Sequence, residues 1–249
     1  MKAIFLCAGY ATRLYPLTQN QPKPLLPVGG KPILDYLLEK VGKIQSIDKV
    51  FLVTNDKFYP HFRRWASGKA RREKIEVVND GTRTNETRLG AIGDLRWVIQ
   101  KFNLREDLGV FAGDNLLLSD LRDFLAFAQS HRPHTSLGIT DVQREELAGR
   151  YGIVQLERDG RIRQFFEKPK VPPSTLASTG IYWFAKESLD FLDRYITEGH
   201  NADRPGDYIQ WLVEVDRVYA YPFEGEWFDI GDLESYREAD RYLIEKGSL

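Results

Sequence analysis

The sequence predicts an α/β fold built on a doubly covered, largely parallel sheet. Three observations lead there. Short continuous apolar runs alternate with helix-period segments through the first half of the chain. Those runs lack the polar alternation of a half-solvated strand, which is the pattern of strands buried on both faces. A length of 249 residues, 42% hydrophobic and 29% charged, suits one large domain with a full core.

The elements follow in order. Strand-like runs lie at Lys2–Leu6, Val50–Thr54, Lys74–Asn79, Gly109–Ala112 and Ser136–Thr140. Helical periodicity fills Lys31–Ile44, Phe58–Ala66, Thr87–Phe102 and Leu121–Ser130. Beyond residue 140 the pattern changes. Tyr151–Leu156 and Arg161–Phe166 flank Asp159-Gly160, a two-residue turn that signals a β-hairpin. Ser178–Phe184 reads as a further strand, Lys186–Tyr195 and Asp207–Val213 as helices, Arg217–Tyr221 as an edge strand and Leu233–Ile244 as the last helix. Lys69 to Lys74 is a short, mostly basic run that reads as a solvated face.

Ligands of such sheets bind at the carboxyl ends of the strands, so the loops there carry the functional candidates. The first strand runs into Cys7-Ala8-Gly9-Tyr10-Ala11-Thr12-Arg13-Leu14 and then a proline-spaced segment, Gln21-Pro22-Lys23-Pro24-Leu25-Leu26-Pro27-Val28. A small-residue turn after a strand lets backbone N–H groups approach an oxyanion, and Arg13 and Lys23 add a fork of donors and a point charge. Taken alone, the same residues also describe a turn-rich surface loop. Asn79 to Ala91 is a polar strand-to-helix loop whose Asn and Arg side chains can bond a base edge or ribose; Thr84 or Asn85 can equally cap a helix there. Gly113-Asp114 ends an apolar strand, and a carboxylate at that position suits Mg²⁺. Asp232 is the better cap for the last helix. Cys7, the only cysteine, follows an apolar strand and reads as buried rather than nucleophilic.

The first loop resembles the signature of the sugar-1-phosphate nucleotidyltransferases, the NDP-sugar pyrophosphorylases, with glucose-1-phosphate thymidylyltransferases among them. The match runs through Gly9, Thr12, Arg13, Leu14, Pro16, Thr18, Pro22, Lys23, Leu25 and Pro27. It departs at Ala11, where the family usually has Gly, and at Pro24. Gly152, Glu167-Lys168-Pro169, Thr179-Gly180 and Gly225-Glu226-Trp227-Phe228-Asp229 resemble later elements of the same family, so the likeness spans nearly the whole chain. It implies a Rossmann-like three-layer α/β/α nucleotidyltransferase fold with a mixed, mostly parallel sheet and a small β insertion on the sugar side. It implies one domain over residues 1–249, with a nucleotide half (about 1–140), a sugar half (about 141–232) and a C-terminal helix (233–246). The activity implied is transfer of a nucleoside monophosphate from an NTP to a sugar 1-phosphate, with release of pyrophosphate. Carried over residue by residue, catalysis falls to Arg13, Lys23 and Lys168, and nucleotide binding to Ala8, Gly9, Thr12, Asn79, Thr87 and Arg88. Gly152, Glu167 and Thr179 would bind the sugar, and Asp114 and Asp229 would hold Mg²⁺.

Other classes fit less well. A net charge of −1 gives no field for nucleic acid, and no apolar run is long enough to span a bilayer. The chain starts directly in a strand with no signal-peptide layout, so a cytoplasmic protein is expected; homo-oligomerisation is left open. It ends after its last helix with no hexapeptide repeat, so no appended β-helix is expected. A dinucleotide oxidoreductase lacks its third glycine. A cytidylyltransferase for a non-sugar phosphate such as choline phosphate, or a sugar-nucleotide-binding module without turnover, would share the first loop; the Gly152–Gly180 region favours a sugar.

Overall fold

The computed structural model describes residues 1–70, 74–144 and 148–247. The basic run of the sequence analysis falls partly on 71–73, outside the described residues. Packing divides the chain into two compact units, both discontinuous in sequence. The first holds Met1–Arg88, Ala112–Ser119 and the chain from Gly225 on; the second holds Leu89–Phe111 and Asp120–Glu224.

The first unit is built on three parallel strands, β1 (Lys2–Leu6), β4 (Lys49–Thr54) and β5 (Ile75–Asn79), in the order β1-β4-β5. Lys2 pairs with Lys49, and Val50 with Ile75. The apolar runs are explained by burial: Ala3, Ile4, Phe5, Leu52 and Val53 are inaccessible to solvent. Helices α1 (Ile33–Gly42) and α2 (Tyr59–Ser67) belong to the same unit. Helix α1 begins two residues later than its periodicity predicts, because Lys31–Pro32 (β3) pairs with Pro27–Val28 (β2). The turn between them, Gly29-Gly30, has φ of 57° and 85°, a left-handed pair that glycine adopts without a steric penalty.

Two further pieces complete this unit. Asn115–Leu117 (β7) pairs antiparallel with Trp227–Asp229 (β13), and helix α7 (Leu233–Glu245) follows. Asp232 caps α7 by accepting from the Ser235 N–H at 2.9 Å, as the sequence predicts. Leu14, Leu26, Val28, Ile33, Tyr36, Leu116, Ile230, Ala239 and Leu243 form one apolar cluster. It fastens the first loop, the proline-spaced segment, β7 and α7 to each other.

The second unit centres on β11 (Leu176–Phe184), which pairs antiparallel with β6 (Leu108–Ala112), β8 (Thr135–Asp141) and β9 (Gly152–Leu156). Strand β12 (Val218–Pro222) runs parallel to β8, and β10 (Ile162–Glu167) closes the predicted hairpin with β9. The register on β11 shifts between Ser178 and Tyr182, around Gly180 at φ 72°, a bulge. Helices α3 (Ala91–Lys101), α4 (Arg122–Ser130), α5 (Leu189–Thr197) and α6 (Pro205–Val215) complete it. Helix α3 starts at Ala91 rather than Thr87. Residues 85–87 form a separate 3-10 turn capped by Thr84, and Gly90 at φ 81° breaks the path between the two. The sheet is therefore mixed: parallel in the first unit and mainly antiparallel in the second. Among the described residues no helix is long and apolar enough to cross a membrane.

Candidate active site

Four parts of the first unit meet at the carboxyl end of β1. Cys7 continues the strand, its N–H bonded to the Val53 carbonyl at 2.9 Å. The Ala8 carbonyl is held by the Nδ2 of Asn55, which is fully buried and uses its Oδ1 to accept from the Phe58 N–H. Gly9 is exposed, and a Cβ there would enter open space. Nothing in the protein itself therefore demands a glycine at this position, which fits a backbone left clear for a ligand. Ala11 takes the left-handed conformation, φ 48° and ψ 43°, with its carbonyl held by the Thr18 hydroxyl at 2.7 Å. Thr12 and Arg13 lie on the exposed face of the 3-10 turn that follows. Among the described residues no acceptor is bonded to the Arg13 guanidinium.

Lys23 differs from Arg13. It is only 9% exposed, and its Nζ lies 2.6 Å from Asp114 Oδ2 and 2.6 Å from the Ile230 carbonyl. One ammonium thus ties the Gly113-Asp114 turn to the residue that follows Asp229. The β7–β13 register agrees, since Asp229 faces Asn115, the residue after Asp114. The Asp114 carboxylate and the backbone beside Asp229 are separated by no more than two hydrogen-bond lengths. Gly113 explains how the turn gets so close: a Cβ would collide with the Cys7 Sγ, and its N–H bonds to the Leu6 carbonyl at 3.1 Å. Burial pushes the Cys7 thiol well above its ordinary range, and the Asp114 charge adds to the shift. The cysteine is 3% exposed, as its position predicts.

The polar loop after β5 folds on itself. Asn79 Oδ1 accepts from the Gly81 N–H at 2.8 Å, and its Nδ2 donates to Asp56 Oδ1 at 2.8 Å. The Thr87 hydroxyl bonds within its own turn to Thr84, and Arg88 donates to the Asn85 carbonyl at 2.6 Å. Sequence reasoning missed Asn55 and Asp56. The signal was present: Thr54-Asn55-Asp56 is a polar step at the carboxyl end of an apolar strand, the same pattern that singles out Asp114.

In the second unit, Glu167 ends β10 opposite Gly152 on β9. A Cβ on Gly152 would strike the Phe165 ring, and one on Gly206 would strike the Glu167 carboxylate, so Glu167 rests against the first turn of α6. Burial raises its carboxyl pKa, Lys168 opposes the rise, Asp207 adds to it and Arg204 opposes it. Lys168 is exposed with φ 49°, a left-handed conformation unusual for a residue with a Cβ. The Thr179 hydroxyl is buried and donates to the Gly138 carbonyl at 2.9 Å.

Among the described residues no group of three or more His, Cys, Asp or Glu side chains could hold a metal unaided. Two aspartates come close in backbone register, Asp114 and the Asp229 that pairs with Asn115. That donor set suits Mg²⁺, which typically takes one or two carboxylates and fills its sphere with water and substrate phosphates.

The family model described as nucleotidyl transferase matches residues 2–246. A Sulfolobus acidocaldarius protein assigned as a mannose-1-phosphate guanyltransferase is 36% identical over 98% of this chain and 63% of its own length. A UTP–glucose-1-phosphate uridylyltransferase of Synechocystis is 32% identical over 99% of this chain and 64% of its own length. The chain thus spans less than two thirds of either relative. The crystal structure of a UDP-glucose pyrophosphorylase with UDP-glucose superposes with a TM-score of 0.83 at 23% identity, covering 98% of each chain. That likeness shows the fold.

Proposed function

The chain belongs to the nucleotidyl transferase family, and on that premise we propose that it joins a sugar 1-phosphate to the nucleoside monophosphate part of an NTP, releasing pyrophosphate and giving an NDP-sugar. The observation that carries the reading is the Lys23–Asp114 pair closed on the Ile230 carbonyl, beside a glycine turn and an uncommitted Arg13. A cation held at the end of the first strand, beside a carboxylate able to carry a divalent metal, suits the binding of a polyphosphate.

The chemistry needs little else. The nucleophile is a phosphate oxygen, already ionised near neutral pH because the second pKa of such esters is about 6. No general base is required. The remaining tasks are to align two polyanions and to neutralise the charge that develops on the leaving pyrophosphate. Alignment alone is worth about 7–11 kcal/mol. In this reading the backbone at Ala8, Gly9 and Thr12 cradles phosphate oxygens, and Arg13 takes the charge on the leaving group. Lys23 has three N–H donors, two of them committed, which leaves one for the α-phosphate. Asp114 and Asp229 would hold Mg²⁺, which when bound supplies positive charge to the phosphates. Asn79, Thr87 and Arg88 shape the loop for the base. In the second unit Lys168 meets the sugar phosphate, Glu167 and Gly152 meet the sugar, and Thr179 acts by fixing its strand. We place the reaction in the cytoplasm, where NTPs and sugar phosphates are available.

The test is a matrix of nucleoside triphosphates against sugar 1-phosphates, read by pyrophosphate release. Turnover with at least one pair is expected. A folded protein that releases pyrophosphate with none, or only with choline phosphate, would overturn the reading.

A further inference from the structure

The proposed reaction leaves the base unspecified, and Asn79, the residue singled out in the sequence to read it, has both ends of its amide engaged within the protein. Its oxygen accepts from Gly81 N–H and its nitrogen donates to Asp56. Only this amide orientation suits a carboxylate partner, which accepts and cannot donate once ionised. Asn79 therefore orients Asp56.

Asp56 is well placed to take over. It follows Asn55, which holds the Ala8 carbonyl of the phosphate turn at 2.8 Å. Its N–H bonds to the Thr82 carbonyl at 2.9 Å, so backbone and side chain are both fixed. The ring of Tyr10, the residue after Gly9, lies 6.3 Å from that of Phe58, two residues beyond Asp56. The Asp56 side chain is 45% exposed, and among the described residues its Oδ2 meets Arg83 at 3.4 Å. Arg83 is 82% exposed, and an exposed pair of that length is easily displaced.

We propose that Asp56, oriented by Asn79, reads the base and selects guanine. A carboxylate presents two parallel acceptors. Guanine is the common base with two adjacent donors on its pairing edge, N1–H and the 2-amino group. Uracil and thymine offer one N–H between two carbonyl oxygens, which the carboxylate repels. Cytosine and adenine offer an amino group beside an acceptor nitrogen. Arg83, released from Asp56, carries donors of the kind that match guanine O6 and N7. The inference rests on the nucleotidyl-transfer reading for its location and names the nucleotide that this site takes.

The test is isothermal titration of the full chain with GTP, ITP, UTP and dTTP in Mg²⁺, for wild type, Asp56→Asn and Asn79→Ala. ITP lacks the 2-amino group. Wild type is expected to bind GTP roughly 5- to 150-fold more tightly than UTP or dTTP, the discrimination a bidentate base contact commands. ITP is expected to fall roughly tenfold or more behind GTP, the share of one hydrogen bond to a charged group. Asp56→Asn should erase most of the GTP/ITP ratio, and Asn79→Ala should reduce it in the same direction. Preference for a pyrimidine, or a GTP/ITP ratio unchanged in Asp56→Asn, would overturn the proposal. If Asp56→Asn fails to fold, the wild-type GTP/ITP ratio decides, and a ratio near one refutes it. Pyrophosphate release from UTP that ignores Asp56 would sink this inference alone. Asp56-dependent GTP binding without pyrophosphate release from any sugar 1-phosphate would sink the transferase reading and leave the inference standing.

Discussion

Replacing Lys23 with methionine removes the charge that joins the two loops while keeping most of the apolar stem. Two interactions disappear, the 2.6 Å ion pair with Asp114 and the 2.6 Å bond to the Ile230 carbonyl. A hydrogen bond to a charged group contributes about 1.5–3 kcal/mol, and a carbonyl left without its partner costs a comparable amount. Breaking a fully buried pair costs about 3–5 kcal/mol. The Asp114 side chain is 34% exposed, so water takes up part of its charge and the smaller figure applies. The expected loss is about 2–3 kcal/mol, a fall in Tm of roughly 5–10 °C for a chain of this size. Turnover should fall by about 10²- to 10³-fold, as when one charge-stabilising donor is removed from an active site. Denaturant unfolding and pyrophosphate release measure the two effects. A further sign follows: Asp114 loses its internal counter-ion, so Mg²⁺ should raise the Tm of Lys23→Met by more than it raises that of wild type. Stability within about 0.5 kcal/mol of wild type would refute the reasoning, because a surface lysine would behave that way.

Other outcomes follow from single observations. Ala11 holds a left-handed conformation that costs a residue with a Cβ about 1–2 kcal/mol. Glycine relieves that strain but gives the unfolded chain about 0.4–1 kcal/mol of extra entropy. Ala11→Gly should therefore be neutral or up to about 1.6 kcal/mol more stable, and a clear loss in denaturant unfolding would contradict the geometry. The Cys7 thiol should resist a disulfide exchange reagent at neutral pH and react fully once denatured; fast native labelling would argue against its burial. The raised pKa of Glu167 means that the native state holds this proton more tightly than the unfolded chain, so stability drops as pH rises above the ordinary glutamate range. Glu167→Gln removes that drop. Its Tm should exceed that of wild type above the window and converge with it in acid, and a parallel pair of Tm–pH curves would contradict the assignment.

Local structure was legible in the sequence where the chain carries its own signal. The apolar runs mark β1, β4 and β5 to within a residue, and Asp159-Gly160 marks the hairpin because that turn needs the positive φ that Gly160 adopts at 82°. Asp232 announces the cap of α7. The proline-spaced segment hid the β2–β3 ribbon, although Gly29-Gly30 between Pro27-Val28 and Lys31-Pro32 is itself a turn signal. Pairing between distant segments was not legible. Asn115–Leu117 and Trp227–Asp229 are three residues each, too short for periodicity, and they meet only through the fold. The partner of Lys23 was hidden for the same reason. Sequence identifies Lys23, Asp114 and Asp229 one by one, but only the structure shows that a lysine holds one aspartate and the backbone next to the other. Asn79 reads as a base reader in the sequence because its side chain can donate and accept; the structure turns one donor to Asp56 after β4 and one acceptor to Gly81 in its own loop.

The central claim is that Arg13 and the Asp114 carboxylate act together on a triphosphate. The direct measurement is the initial rate of pyrophosphate release by wild type, Arg13→Ala and Asp114→Asn, with the most active NTP and sugar 1-phosphate pair and with circular dichroism to confirm folding. Each variant should stay folded and lose about 10²-fold or more in turnover. Either variant, folded and turning over at the wild-type rate, would contradict the account.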